Sequence, residues 1–258
     1  MIIYKYVTSD RIDILRNACI RFTQPSALND PFDAFPCFRD YKKGLEEFIK
    51  KNAPKLRGHS TDEQIDSMPA GIDPAIKLAM EQLSDNYGIL SLTKKKNNLL
   101  MWSHYTDSHK GFVIAFDSDA PFFKKEVKDG IKGLREVTYS DKRYVLPAGA
   151  LESSTPAARE TVMDHFFFTK SQHWSYEEEL RVLAHPEEAD RKISVTDGYP
   201  ICLFKFPRDC VKEVIFGYRM DASTRKVFQA LLAADYPHVK AFQCQLDDDE
   251  FELKVVPC

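Results

Sequence analysis

The run Phe112-Val113-Ile114-Ala115-Phe116, bounded by Gly111 and Asp117, constrains this chain more than any other stretch. Five apolar residues, mostly β-branched or aromatic and fenced by a glycine and an acid, read as a buried strand. Directly ahead stands Met101-Trp102-Ser103-His104-Tyr105-Thr106-Asp107-Ser108-His109-Lys110, with one of two tryptophans and two of seven histidines. Polar groups at the mouth of a core strand are held rigidly and still meet solvent. Such a place suits a functional site, and it equally suits a structural corner.

Around that strand the pattern is mixed. Ile2 to Val7 reads as a strand with Tyr4 and Tyr6 on one face and Ile3 and Lys5 on the other. Asp10 can cap a short helix through Ile12, Ile14, Leu15 and Ala18. Pro25 to Asp33 is a turn-rich block in which proline and Asx residues set the backbone. Helices are expected over Gly44 to Asn52 and over Asp73 to Asn86, the latter capped by Asp73 with Pro74 at its first position. Ala53 to Gly71 reads as a mobile connection with His59 at the surface. Further strands are expected at Tyr87 to Leu92, Glu136 to Tyr139, Trp174 to Leu183, Ile201 to Phe206 and Val211 to Phe216. A helix spans Thr155 to Thr169, and another runs from Asp221 or Ser223 to about Ala234. Val239 to Val256 reads as two strands joined by Asp247-Asp248-Asp249. Strands without strict βα alternation argue for an α+β fold with mainly antiparallel sheet, and one domain over 1–258 is the simpler reading.

Composition removes several function classes. At 43% apolar and 29% charged residues the chain is of the ordinary globular kind, and its formal charge of -3 offers no basic stripe for nucleic acid. No apolar run approaches the ~20 residues that cross a bilayer, and the N-terminus lacks the form of a signal peptide, so a cytoplasmic protein with no membrane partner is expected. Cys19, Cys37, Cys202, Cys210, Cys244 and Cys258 form no close pair and read as free, mostly buried thiols. His104 and His109 flank Asp107 but lack the remaining ligands of a closed zinc site, so no metal is expected. Ser103 and His104, read as neighbours on an extended run, point to opposite faces and make no nucleophile–base pair. No Gly-x-Ser-x-Gly elbow or phosphate-cradling glycine loop occurs. What remains is an aromatic, hydroxyl and imidazole cluster suited to a planar ligand.

A second informative stretch is Trp174 to Leu183. Strand alternation puts Ser175, Glu177, Glu179 and Arg181 on one face and Trp174, Tyr176, Glu178 and Leu180 on the other. Glu177 and Glu179 then stand roughly 6–7 Å apart. On a partly buried face their repulsion raises one pKa unless Arg181 or a ligand compensates. On an exposed face both are simply solvated and Arg181 pairs locally. Both readings stay open, as does a third in which the two stretches only hold the core together.

Four blocks taken in order resemble a bacterial family catalogued as domain of unknown function 2971. They are Tyr4-Lys5-Tyr6, Asn29-Asp30-Pro31-Phe32-Asp33, Met101-Trp102-Ser103-His104-Tyr105 with Gly111-Phe112 and Phe116-Asp117, and Lys170 with Trp174, Tyr176, Glu177, Glu179 and Arg181. The order of blocks is also similar to the ADP-ribosyltransferase superfamily. That resemblance implies small sheets around a cleft and NAD as substrate, with a protein, nucleic acid or water as acceptor. It implies a transferase or glycohydrolase, of the kind that serves as a toxin or phage-defence effector. It casts Glu179 as the carboxylate that stabilises the developing ribosyl cation, Glu177 as its companion and His104 as a hydrogen-bonding group. Tyr105 and Trp102 would stack on nicotinamide, with Ser103, Lys5, Tyr6, Asn29, Asp30 and Arg181 completing the dinucleotide site. One departure is plain: the first strand carries Lys5 where the superfamily uses His or Arg, and lysine does not reproduce bidentate phosphate recognition. The reading from a different class is a non-catalytic nucleotide- or protein-recognition domain built on Trp102, His104 and Tyr105.

Overall fold

The computed structural model describes residues 1–56, 61–68, 72–126, 133–147, 155–196 and 198–258. In chain order the elements begin with β1 (Ile2–Val7), α1 (Asp13–Asn17), β2 (Cys19–Phe22), α2 (Arg39–Leu56), α3 (Asp62–Ser67) and α4 (Ile72–Asn86). They continue with β3 (Gly88–Thr93), α5 (Leu99–Tyr105), β4 (Phe112–Asp117), β5 (Arg135–Glu136), β6 (Thr138–Ser140), α6 (Pro156–Phe167) and β7 (Thr169–Ser171). The last are β8 (Glu179–Ala184), β9 (Arg191–Ile193), β10 (Ile201–Lys205), β11 (Val211–Phe216), α7 (Ala222–Asp235), β12 (Lys240–Leu246) and β13 (Leu253–Pro257).

These elements form two compact units, the first of Met1–Thr23, Gly88–Val137 and His173–Cys258. It holds an eight-stranded sheet in the order β13-β12-β11-β4-β1-β3-β8-β5 and a three-stranded sheet in the order β2-β10-β9. Every pairing in the large sheet is antiparallel except β11 with β12. The fold is therefore α+β and mainly antiparallel, as the absence of βα alternation predicts.

The strand over Phe112–Asp117 sits between β1 and β11, and Phe112, Val113, Ile114, Ala115 and Phe116 are all fully buried. Its alternate side chains feed two cores. Phe112, Ile114 and Phe116 join Ile3, Val7, Val214 and Phe216 under α7, where the Phe112 and Phe228 rings meet at 4.5 Å. Val113 faces the other way, with Tyr6, Ile215 and Cys244, against Met101 and Trp102 of α5. Each buried aliphatic or phenyl side chain contributes about 1.5–3 kcal/mol, which is why this strand organises the unit. Gly111 and Gly217 let three chain segments touch: a Cβ would lie 2.2 Å from the Val7 carbonyl oxygen at Gly111 and 2.1 Å from that of His109 at Gly217. Neither obstacle is a side chain that can swing away.

The second unit comprises Gln24–Tyr87 and Thr138–Gln172, with α2, α3, α4, α6 and the parallel pair β6–β7. Here several expectations need correcting. The connection expected over 53–71 contains α3, while His59 lies outside the described residues. Helix α4 starts at Ile72, so Pro74 takes its third position rather than its first. The strand expected at Glu136–Tyr139 is two strands, β5 and β6, in different sheets.

The largest correction concerns Trp174–Leu183. Gln172–Glu177 is a 3-10 turn, Glu178 has a left-handed backbone at φ 42°, and the strand starts only at Glu179. Likewise Met101–Tyr105 is helical, so Ser103 and His104 are helix neighbours and not strand neighbours. All six cysteines are free, and Cys19, Cys202, Cys210 and Cys244 are buried.

Candidate functional site

The site in the first unit starts from sheet register. Tyr4 stands opposite Thr93, and Thr93 opposite Glu179, so these residues form one row across β1, β3 and β8. Directly paired residues share a face. It is the face of Tyr6, whose ring meets Trp102 edge-on at 5.3 Å, so α5 covers the row. Alternation on β8 then returns Arg181 to the same face, opposite Ser91.

One residue sets the position of α5. The Asn98 side-chain oxygen accepts from the Leu100 and Met101 N–H groups at 3.0 and 3.1 Å, capping the helix. Its amide donates to the Tyr176 carbonyl at 2.9 Å, which ties the start of the helix to the turn before β8. The last residue of α5 therefore meets that turn: the Tyr105 hydroxyl donates to Glu177 Oε1 at 2.5 Å. Thr93 holds the same turn from the sheet, its hydroxyl donating to the Glu177 carbonyl at 2.5 Å.

Two carboxylates and a guanidinium are thus buried together, with Glu177 3%, Glu179 5% and Arg181 0% exposed. Arg181 grips Glu179 with a fork, Nε donating to Oε1 at 2.7 Å and Nη2 to Oε2 at 3.0 Å. A bidentate pair of this kind fixes the carboxylate in angle as well as position. Burial, and then the Glu177 carboxylate beside it, push the Tyr105 hydroxyl far above the usual phenol range. Tyr105 is accordingly a donor at any physiological pH.

Glu177 and Glu179 are both buried, one at the end of the turn and one at the start of β8, and not as alternate residues of one strand. The left-handed Glu178 carries the chain from turn to strand, leaving Glu178 itself exposed and paired with Lys95 at 3.1 Å. His104 and Ser103 are on the exposed side of α5, and His104 Nδ1 lies 3.1 Å from the Tyr176 hydroxyl. Two of the expected ligand residues are placed away from the exposed side of α5. Trp102 is 0% exposed, with its indole N–H donated to the Lys96 carbonyl at 3.0 Å. Lys5 pairs with Ile114, an apolar-core residue of the opposite sheet face, and its ammonium donates to the Ser91 carbonyl at 2.8 Å. Tyr6 is buried, its hydroxyl donating to the Lys95 carbonyl at 3.0 Å. Asn29 and Asp30 belong to the second unit, where Asp30 accepts from the Phe32 N–H at 2.9 Å and closes a turn.

Sequence reasoning missed Thr93, Asn98 and Tyr176. For Asn98 the signal was present: an Asx residue before Leu99-Leu100-Met101-Trp102 is a helix start. Tyr176 stands in the fourth family block but its contacts depend on the turn, and Thr93 carries no comparable mark because its importance comes from β3 pairing.

Residues 101–182 match the family described as protein of unknown function (DUF2971). That span begins within α5 and takes in Tyr105, Glu177, Glu179 and Arg181, which supports the family read from the sequence blocks. No curated protein and no solved structure matches the chain. Among the described residues, no cluster of three or more His, Cys, Asp or Glu could hold a metal ion, and no helix is long and apolar enough to cross a membrane.

Proposed function

We propose that this protein is an NAD-consuming enzyme of the ADP-ribosyltransferase type, with Glu177 and Glu179 as its working carboxylates. The observation that carries the reading is the burial of both, with Glu177 accepting from the Tyr105 hydroxyl and Glu179 held by the Arg181 fork. Breaking the nicotinamide–ribose bond leaves positive charge on the ribose, and a carboxylate fixed beside it lowers that barrier electrostatically. Arg181 keeps Glu179 in one orientation, so no reorganisation is needed as charge develops. Glu177 orients the ribose or the acceptor, and Tyr105 orients Glu177. His104 and Tyr176 offer hydrogen bonds from the exposed side. Trp102 and Lys5 are not part of this proposal.

Nicotinamide release from NAD tests it, with protein and nucleic-acid acceptors supplied in turn. Glu179→Gln and Glu177→Gln are each expected to lower turnover by about 100-fold or more, the scale of losing a fixed electrostatic group. Because Glu179→Gln leaves Arg181 without its charge partner, Tyr105→Phe is run beside it and thermal melts confirm folding. No turnover with any acceptor, and no NAD binding by calorimetry, contradicts the reading.

A second reading rests on a specific observation. Both oxygens of Glu179 are taken by Arg181, which favours a recognition surface formed by His104, Tyr105 and Tyr176 without catalysis. In that case Glu179→Gln leaves biological activity in place, while Tyr176→Ala removes it.

A further inference from the structure

The second unit contains a cavity of about 230 Å³ that plays no part in the chemistry above, and all its lining residues belong to that unit. Its walls combine flat rings and cations. The Tyr144 and His165 rings stack at 3.7 Å with 9° between their planes. The Arg143 guanidinium lies 5.2 Å from the centre of the Phe32 ring and 5.7 Å from that of Phe35. Phe32 and Phe35 are 58% and 43% exposed, although large apolar rings beside a cavity gain most from being covered.

The wall that carries these rings is held in place. Cys37 N–H donates to the Tyr144 carbonyl, and Leu146 N–H to the Cys37 carbonyl, each at 2.8 Å. Arg143 Nη2 donates to the carbonyls of Phe35 and Pro36 at 2.8 and 2.9 Å. Binding here would order little that is not already ordered, which favours affinity.

Charge selects among flat ligands. Lys142, Arg143 and Lys170 line the cavity against the single acid Asp141. Lys170 is buried and faces Asp33 at 3.9 Å, so Lys142 and Arg143 are the exposed cations and the mouth is net positive. Hydroxyls of Ser140, Thr169 and Ser171 also line the cavity, that of Ser140 bonded to the Lys142 backbone and that of Thr169 3.5 Å from His165 Nδ1. Flat faces, a positive mouth and hydroxyls in a space of this size match a base, a phosphate and a ribose.

We propose that this pocket binds a 5′-nucleotide, with the base on the Phe32, Phe35 and Arg143 wall and the phosphate at Lys142 and Arg143. Stacking on aromatic and guanidinium faces tolerates any base, so the pocket should read the nucleotide class and not its sequence identity. The proposal is independent of NAD cleavage in the first unit.

Calorimetry on the full chain tests it, with AMP, adenosine and inorganic phosphate as separate probes. AMP is expected to bind saturably, and adenosine and phosphate each at least about tenfold more weakly, since each lacks one half of the recognition. Phe32→Ala and Lys142→Ala, both at exposed side chains, are each expected to weaken AMP by about tenfold or more. Glu179→Gln is expected to leave AMP binding unchanged, which separates this site from the proposed NAD chemistry. No saturable AMP binding overturns the proposal, as does AMP binding that neither Phe32→Ala nor Lys142→Ala alters. Adenosine binding as tightly as AMP overturns the phosphate assignment.

Discussion

The cluster around Glu177 and the pocket around Arg143 draw on the same kinds of side chain and use them in opposite ways. In the first unit, carboxylates, a guanidinium and a phenol are buried and bonded to one another at 2.5 to 3.0 Å. In the second, rings and cations stand in or near solvent around an empty volume. Buried polar groups in a tight network are costly to disturb because each protects another from desolvation. Exposed ones cost the fold little to change. On the two proposals, the first region joins stability to function and the second separates them.

The sharpest way to break that comparison is Arg181→Ala. It leaves the Glu179 charge buried without its partner and should cost about 3–5 kcal/mol in urea denaturation. A loss below about 1 kcal/mol, the worth of an exposed ion pair, would mean the pair is solvated after all. Trp102→Ala should cost about the same, in the 3–5 kcal/mol range of a buried aromatic, while leaving per-molecule NAD turnover unchanged in the folded fraction.

Tyr105→Phe comes next, at about 1.5–3 kcal/mol for a hydrogen bond to a charged group. It also has a pH signature. The folded-state pKa of Tyr105 is raised, so its contribution is complete below the ordinary phenol pKa near 10 and is lost as pH rises towards the folded value. Melting curves between pH 8 and 11 should fall more steeply for wild type than for Tyr105→Phe. Equal slopes would place the hydroxyl outside the carboxylate's reach. The smallest effect is expected of Phe32→Ala, within about 0.5 kcal/mol of wild type, as for surface changes generally. If it destabilises as much as Tyr105→Phe, the contrast between the two regions fails.

How much of this the chain announces depends on where the determining contacts lie. The central strand Phe112–Asp117, the first strand and the closing pair β12–β13 follow from local apolar pattern and turn residues. Asp221 was one of two candidate caps, and it accepts from the Thr224 N–H at 2.8 Å as a capping residue should. Glu177 and Glu179 do not alternate along one strand, because Glu177 ends a 3-10 turn and Glu178 is left-handed. Aromatic and apolar alternation from Trp174 onward imitates a strand, and nothing local marks Glu178 as left-handed, since glutamate carries no preference for that region. The resemblance to the ADP-ribosyltransferase superfamily casts Trp102 as a stacking residue, whereas the structure buries it. Its burial follows from helix periodicity, which puts Tyr105 at the site and Trp102, three residues earlier, against Tyr6. The Arg143 pocket went unread because its rings come from Phe32, Phe35, Tyr144 and His165, which only tertiary structure brings together.

The central claim is that Glu179 and Glu177 do chemistry on NAD and not only hold the sheet to α5. The most direct measurement is nicotinamide release by the purified chain, wild type against Glu177→Gln, with folding matched by thermal melts. The account predicts turnover in wild type and a loss of about 100-fold or more in the variant. Turnover that Glu177→Gln leaves intact, or no turnover and no NAD binding at all, would contradict it.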